Sequence, residues 1–312
     1  MNVRSINEFK SHINNCDIKS EQAGLDFACN KKMPTSRPAP VHSPASAVSA
    51  VSISLPTLHA SAALPPGSVA LIGAGPGDPE LLTLRALRRL QQCDVVLHDN
   101  LVSSAVMDFV PAHVERIYVG KRAGLHSMAQ QDIGELMLAK ARAGLRVVCL
   151  KGGDLFVFGR GGEEMQALLP HGVLVEVTPG ITTALGAAAS LGFPLTHRDH
   201  AQSCIFATGH LKNHSVHLNW ATLAQPGQTL VIYMGVSGLD EIVRELQAAG
   251  LPAATPAALI YRATCPQQQV WFSELADLPE TARRHEVKAP TLLVIDSVVT
   301  LAQGYALPVL QP

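Results

Sequence analysis

Val69-Ala-Leu-Ile-Gly-Ala-Gly-Pro-Gly-Asp78 decides the fold: four apolar residues run straight into a glycine-proline turn. A short buried strand that feeds glycines and then a helix opens the α/β folds that bind dinucleotides. The spacing here departs from that fingerprint. Gly73 and Gly75 fit, but Gly77 falls one position early and Asp78 stands where the third glycine belongs. An acid at that point repels a pyrophosphate. The turn reads as a ligand loop whose ligand is not a phosphate.

Downstream of this turn, strand and helix alternate. Strands are predicted at Val69–Ile72, Asp94–Leu97, Val114–Val119, Arg146–Leu150 and Val173–Val177. Helices are predicted at Pro79–Gln92, Asp132–Ala143, Gly161–Leu169 and Ile181–Leu191. Leu81, Leu84, Leu87 and Leu90 recur at helical spacing and are expected to face the core, and Gly144 is a natural helix stop. Leu195–Gln202 is polar and irregular, an expected linker. Beyond it, strands are expected at Ser203–Thr208, Thr229–Tyr233, Ala257–Ile260, Val270–Phe272 and Thr291–Asp296, with helices at Leu239–Ala249 and Leu275–Arg284. The first half reads as parallel α/β and the second as α/β with more sheet pairing.

Upstream, residues 1–66 hold seven prolines, many Ser and Ala residues and no sustained periodicity. Such a segment buries too little apolar area to offset chain entropy, so a disordered low-complexity tail is expected. Its early acids suit neither a transit peptide nor a secretory leader, and Met33 is an alternative start. The chain of 312 residues is long enough for two domains, divided here as 67–196 and 197–312. An apolar content of 47% fits a large core, and a net charge of -1 gives no general attraction for nucleic acid or anionic membrane. No apolar run reaches the roughly 18 residues of a membrane span. The six cysteines are scattered without metal spacing, as in a reducing, cytoplasmic setting.

Glycines and polar residues gather where strands end, the place at which open α/β sheets bind ligands. The loops are Gly73–Asp78, His98-Asp-Asn100, Gly120-Lys-Arg122, Lys151-Gly-Gly-Asp154, Thr178-Pro-Gly-Ile-Thr-Thr183, Tyr233-Met-Gly235 and Tyr261-Arg-Ala-Thr264. Seven such loops together mark one site. With Val119-Gly-Lys-Arg-Ala-Gly124, Phe156-Val-Phe-Gly-Arg-Gly-Gly-Glu-Glu164 and Pro194-Leu-Thr-His-Arg198, the chain resembles the uroporphyrinogen-III C-methyltransferases of the tetrapyrrole methylase family. The resemblance runs from about Val69 to about Val299.

It implies two α/β domains with the active cleft between them and a homodimer. It also implies C-methylation of uroporphyrinogen III at C2 and C7 by S-adenosylmethionine, through precorrin-1 to precorrin-2, for sirohaem or cobalamin. Pro76, Gly152, Gly153, Asp154, Val157, Thr182, Thr183, Met234 and Ala263 are the implied donor contacts. The donor is a sulfonium, so an acid nearby is tolerated where it would repel a pyrophosphate. Glycines let the main chain approach the ligand closely. Asp99 is the implied proton acceptor and Lys121 the proton donor or charge stabiliser. Lys151, Arg122, Arg160 and Arg198 suit the carboxylates of an octacarboxylate acceptor. The implied chemistry needs no metal, and His210, His214 and His217 read as a solvated loop.

Other readings of the same residues stay open. Asp99 lies 26 residues beyond Gly73, which also suits a ribose contact, or it caps the next segment. Asp154 also suits a turn. A nicotinamide-dependent dehydrogenase and a non-catalytic ligand sensor are the competing functions. Some positions depart from the family pattern. Leu155 replaces a usual proline, which should loosen its loop, and His98, Asn100, Arg262 and Gln269 differ around the acceptor side.

Overall fold

The computed structural model describes residues 63–120, 129–209 and 218–303, all within one compact unit. The first five strands are β1 (Val69–Gly73), β2 (Val95–His98), β3 (Glu115–Tyr118), β4 (Val147–Lys151) and β5 (Val175–Thr178). They form one parallel sheet in the order β3-β2-β4-β1-β5. Side chains alternate between its two faces. Val69, Leu71, Val95, Leu97, Val147 and Cys149 pack on one side, and Ala70, Ile72, Val96, Val148 and Leu150 on the other. Because helices cover both faces, the central strands β1, β2 and β4 read as near-continuous apolar runs.

Helices α1 (Leu84–Gln92) and α2 (Ser104–Met107) cover one face, through Ala86, Leu90, Val106 and Met107. The other face is covered by α3 (Gln130–Arg142) and α4 (Gly161–Leu168), through Ile133, Met137, Leu138, Ala141 and Leu168. The sheet is thus wound in both directions, and its loops meet above the carboxyl ends of β1 and β4. Gly144, at φ 81, ends α3 as expected.

Helix α5 (Thr183–Leu191) leaves the first sheet and packs Ala184, Ala187 and Ala188 against a second one. That sheet comprises β6 (Ser203–Thr208), β7 (Gln228–Tyr233), β8 (Pro256–Tyr261), β9 (Gln269–Glu274) and β10 (Thr291–Ile295), in the order β6-β7-β10-β8-β9. Only β6 and β7 run parallel; the other pairs are antiparallel. Its opposite face carries α7 (Leu239–Ala248) and α8 (Leu278–Arg284), which follow the short α6 (Trp220–Leu223). The expected extra sheet pairing is this antiparallel set.

Two expectations need correction. The Leu81/Leu84/Leu87/Leu90 stripe is not a core face as a whole: Leu90 is buried, but Leu84 is 66% exposed, and α1 buries Ala86 and Arg89 beside Leu90. The expected helix breaks after a 3-10 turn at Pro79–Leu81, and Thr83 starts a new one by accepting from Ala86 N. That N-cap resets the phase of the buried face. Second, the tail does not extend to residue 66. Leu64 is 2% exposed and packs among Ala86, Leu90 and Val148, so apolar burial anchors the chain before β1. Residues 1–62 lie outside the described residues.

Candidate active site

Three loops cross at the carboxyl ends of β1, β4 and β5 with no room for side chains. A Cβ on Gly73 would overlap Gly180 N, and one on Gly180 would overlap the carbonyl oxygen of Gly153. Gly75 and Gly153 exchange two backbone hydrogen bonds, at 3.1 and 2.7 Å, and Ala74 N donates to Lys151 O at 2.7 Å. Asp154 braces the crossing: Oδ1 accepts from Phe156 N at 2.8 Å and Oδ2 from Gly180 N at 3.0 Å. The turn reading of Asp154 is therefore realised, and its carboxylate also ties the β4 loop to the β5 loop.

The second sheet closes this crossing from the other side. Asp78 N donates to Thr264 Oγ1, while the Asp78 carboxylate caps the 3-10 turn through Glu80 N. Gly77, at φ 142, lies against the Cys265 thiol, and Ala263 is buried nearby. Pro76 packs on α5 at Gly186, and Thr183 lies against Gly153. At the end of β7, Met234 adopts a left-handed backbone (φ 56) and stays 48% exposed. Phe158, also left-handed and 39% exposed, lies against Tyr233 with ring centroids 5.1 Å apart. A Cβ on Gly152 would press on Leu101, and Val157 N reaches Asp154 O at 3.4 Å.

The result is a cleft with a backbone-lined floor and apolar side chains left in solvent at its edge. All nine implied donor contacts belong to these converging loops.

The acceptor-side residues are less uniform. Asp99 follows β2, and its Oδ1 accepts from Leu101 N at 2.9 Å; Oδ2 takes no hydrogen bond among the described residues. Lys151 turns inward to Glu164, at 2.9 Å, where the glutamate side chain is fully buried. Gln130 donates to the same carboxylate at 3.0 Å. Burial opposes the Lys151 charge, but the acidic groups around it, Glu164 and Asp99 among them, raise its pKa overall. Burial also pushes the neighbouring Cys149 thiol well up, so it stays neutral. Arg160 is exposed and held by Glu163 through two hydrogen bonds. Arg198 is exposed on the turn His197–Ala201. Lys121, Arg122, His210, His214 and His217 lie outside the described residues.

Residues 68–279 match the model of the Tetrapyrrole (Corrin/Porphyrin) Methylases. The chain belongs to this methylase family. It is 51% identical over 242 residues to the sirohaem synthase of Nitrosomonas europaea, covering 78% of this chain and 51% of the relative. Against the sirohaem synthase of Azotobacter vinelandii the identity is 55% over 240 residues, covering 77% and 52%. The chain thus spans about half the length of the curated relatives it matches. Among solved structures it is similar to a uroporphyrin-III C-methyltransferase from Thermus thermophilus complexed with S-adenyl homocysteine. That match has 41% identity and a TM-score of 0.66, covering 75% of this chain and 99% of that one.

The departures from the tetrapyrrole methylase pattern now have positions. Leu155 is 1% exposed within the core beside Leu168, so packing holds its loop where a proline would fix φ. His98 packs edge-on to Tyr118, and the Arg262 guanidinium lies over the Tyr261 ring. Sequence reasoning passed over Gly180, Glu164 and Tyr233 as site residues, although each stood inside a quoted motif.

Proposed function

We propose that this chain catalyses the S-adenosylmethionine-dependent methylation of uroporphyrinogen III at C2 and C7, through precorrin-1 to precorrin-2, for sirohaem or cobalamin synthesis. One observation carries the reading: the glycine crossing, with Thr182, Met234 and Ala263 around it, lies in a chain 41% identical to a C-methyltransferase of known structure. The site suits the donor, because the close-packed glycines present main chain to a ligand and the exposed Met234 offers apolar contact.

When bound, S-adenosylmethionine supplies an activated methyl group on a sulfonium. Pro76, Gly152, Gly153, Asp154, Val157, Thr182, Thr183, Met234 and Ala263 hold it and exclude water. Asp99 accepts the proton that the methylated ring loses, through the carboxylate oxygen not used on Leu101 N. Lys121 donates a proton to the acceptor or stabilises charge on it. Arg122, Arg160 and Arg198 engage acceptor carboxylates. Lys151 acts from beneath, as a fixed positive charge held by Glu164 and across from Asp99: the β2–β4 register pairs His98 with Leu150, one residue before each. Much of the rate comes from positioning two bound reactants.

The reading includes a homodimer in the cytoplasm, with a tetrapyrrole rather than nucleic acid or membrane as partner. It keeps a domain division between residues 196 and 197, with β1–β5 on one side and β6–β10 on the other. The test is incubation with uroporphyrinogen III and methyl-labelled S-adenosylmethionine, read by product mass. Two labelled methyl groups on the tetrapyrrole are expected. Folded, donor-bound protein that transfers none would refute the reading.

A further inference from the structure

Thr182 occupies the N-cap of α5, a position where threonine ordinarily accepts from a backbone amide of the first turn. Here it makes no such bond. Its Oγ1 lies 2.7 Å from the Tyr233 hydroxyl, which also receives Ala184 N at 3.2 Å. Tyr233 comes from β7 of the second sheet, so this contact reaches across to the loop after β5.

Hydrogen-bond bookkeeping narrows where the protons sit. A backbone amide only donates, so Ala184 N–H occupies the acceptor side of the phenol oxygen. Either hydroxyl can donate across the 2.7 Å contact, and when the phenol O–H does so Thr182 Oγ1 is its acceptor. Burial raises the Tyr233 pKa, so that proton is retained at neutral pH. Thr182 is 6% exposed, and when it accepts from Tyr233 its own O–H proton has no recipient among the described residues. A buried hydroxyl proton without an acceptor is rare in folded proteins. The neighbours Thr183 and Met234 place it at the wall of the donor cleft.

We propose that Tyr233 is a positioning residue: it fixes Thr182 as a hydrogen-bond donor toward an acceptor atom of the bound methyl donor. The inference rests on the methyl-donor reading above. The ring is itself clamped, by Phe158 at 5.1 Å and Phe206 at 5.9 Å between centroids, so the hydroxyl is held in place from the loop after β4 as well as from the sheet.

The test is calorimetric binding of S-adenosylmethionine to the wild-type full chain and to Tyr233→Phe, Thr182→Val, Thr182→Ser and the Tyr233→Phe/Thr182→Val double variant, with melting temperature measured without ligand. Tyr233→Phe and Thr182→Val are each expected to weaken binding about tenfold, and Thr182→Ser to preserve it. The double variant is expected to bind no worse than Thr182→Val, because both remove one oriented proton. Additive losses mean that Tyr233 acts only as a brace and overturn the inference, as does unchanged binding by Tyr233→Phe. Should Tyr233→Phe not fold, Thr182→Val alone decides: it leaves the Tyr233–Ala184 bond in place, and wild-type affinity in it overturns the inference. Failure of the wild type to bind overturns the methyl-donor reading itself and this inference with it.

Discussion

The two halves of the cleft are built from different materials. The donor half is main chain: Gly73, Gly153 and Gly180 touch backbone to backbone, and the Asp154 carboxylate in the crossing serves amides. The acceptor half is charge, and adjacent residues spend it differently. Glu164 is fully buried against Lys151, while Glu163 is about half exposed against Arg160. Under the proposed function, such a site would fix its donor rigidly and meet a large polycarboxylate with side chains that can move.

The sharpest way to break the comparison is Gly180→Ala. Its Cβ overlaps two other backbones that cannot rotate away, so the loss should reach the about 4–5 kcal/mol of exceptional substitutions, with donor binding abolished. Gly162→Ala, where a Cβ meets nothing within 4 Å, is the control and should be silent in calorimetry. A mild Gly180→Ala would mean the crossing is not close-packed.

Glu164→Gln comes next. It keeps a partner for Gln130 but leaves the Lys151 ammonium buried without its counter-charge, at a cost of about 3 kcal/mol by denaturant melts. Arg160→Ala should leave stability within about 0.5 kcal/mol, yet raise KM for the tetrapyrrole roughly tenfold through one lost charge-assisted contact. An effect of Arg160→Ala on donor binding instead would erase the division between the halves.

The smallest effect belongs to Glu163→Gln. Hydrogen bonds from Arg160 lower the Glu163 pKa. Its contribution is therefore present above the ordinary carboxylate range and is lost as pH falls through that range to the lowered value. Solvent screening limits it to a few tenths of a kcal/mol. Stability curves of wild type and variant should differ by that amount at neutral pH and converge in acid.

What was legible in the sequence follows the same division. Strands buried on both faces announced themselves as apolar runs, and each expected strand is present within a few residues of its bounds. Helices α2 and α6, four residues each, are too short to show a period. The face of α1 was misread because a single N-cap, Thr83, shifts its phase. Within the site, loop glycines pointed to close backbone approach, but not to which backbones meet. Nothing local marks Glu164 as buried beside an exposed Glu163; only the fold sends one inward. Tyr233 was visible beside Met234, but its bond to Thr182 joins residues 51 apart. At the opening turn, the Asp78 carboxylate caps its own helical turn and the Asp78 amide links it to Thr264, neither of which the sequence marks.

The most direct measurement is equilibrium binding of S-adenosylmethionine and of NAD to the same preparation of the full chain. The glycine crossing, with its acid-capped turn, predicts saturable binding of the sulfonium donor and none of the dinucleotide. Binding of NAD without S-adenosylmethionine would contradict it.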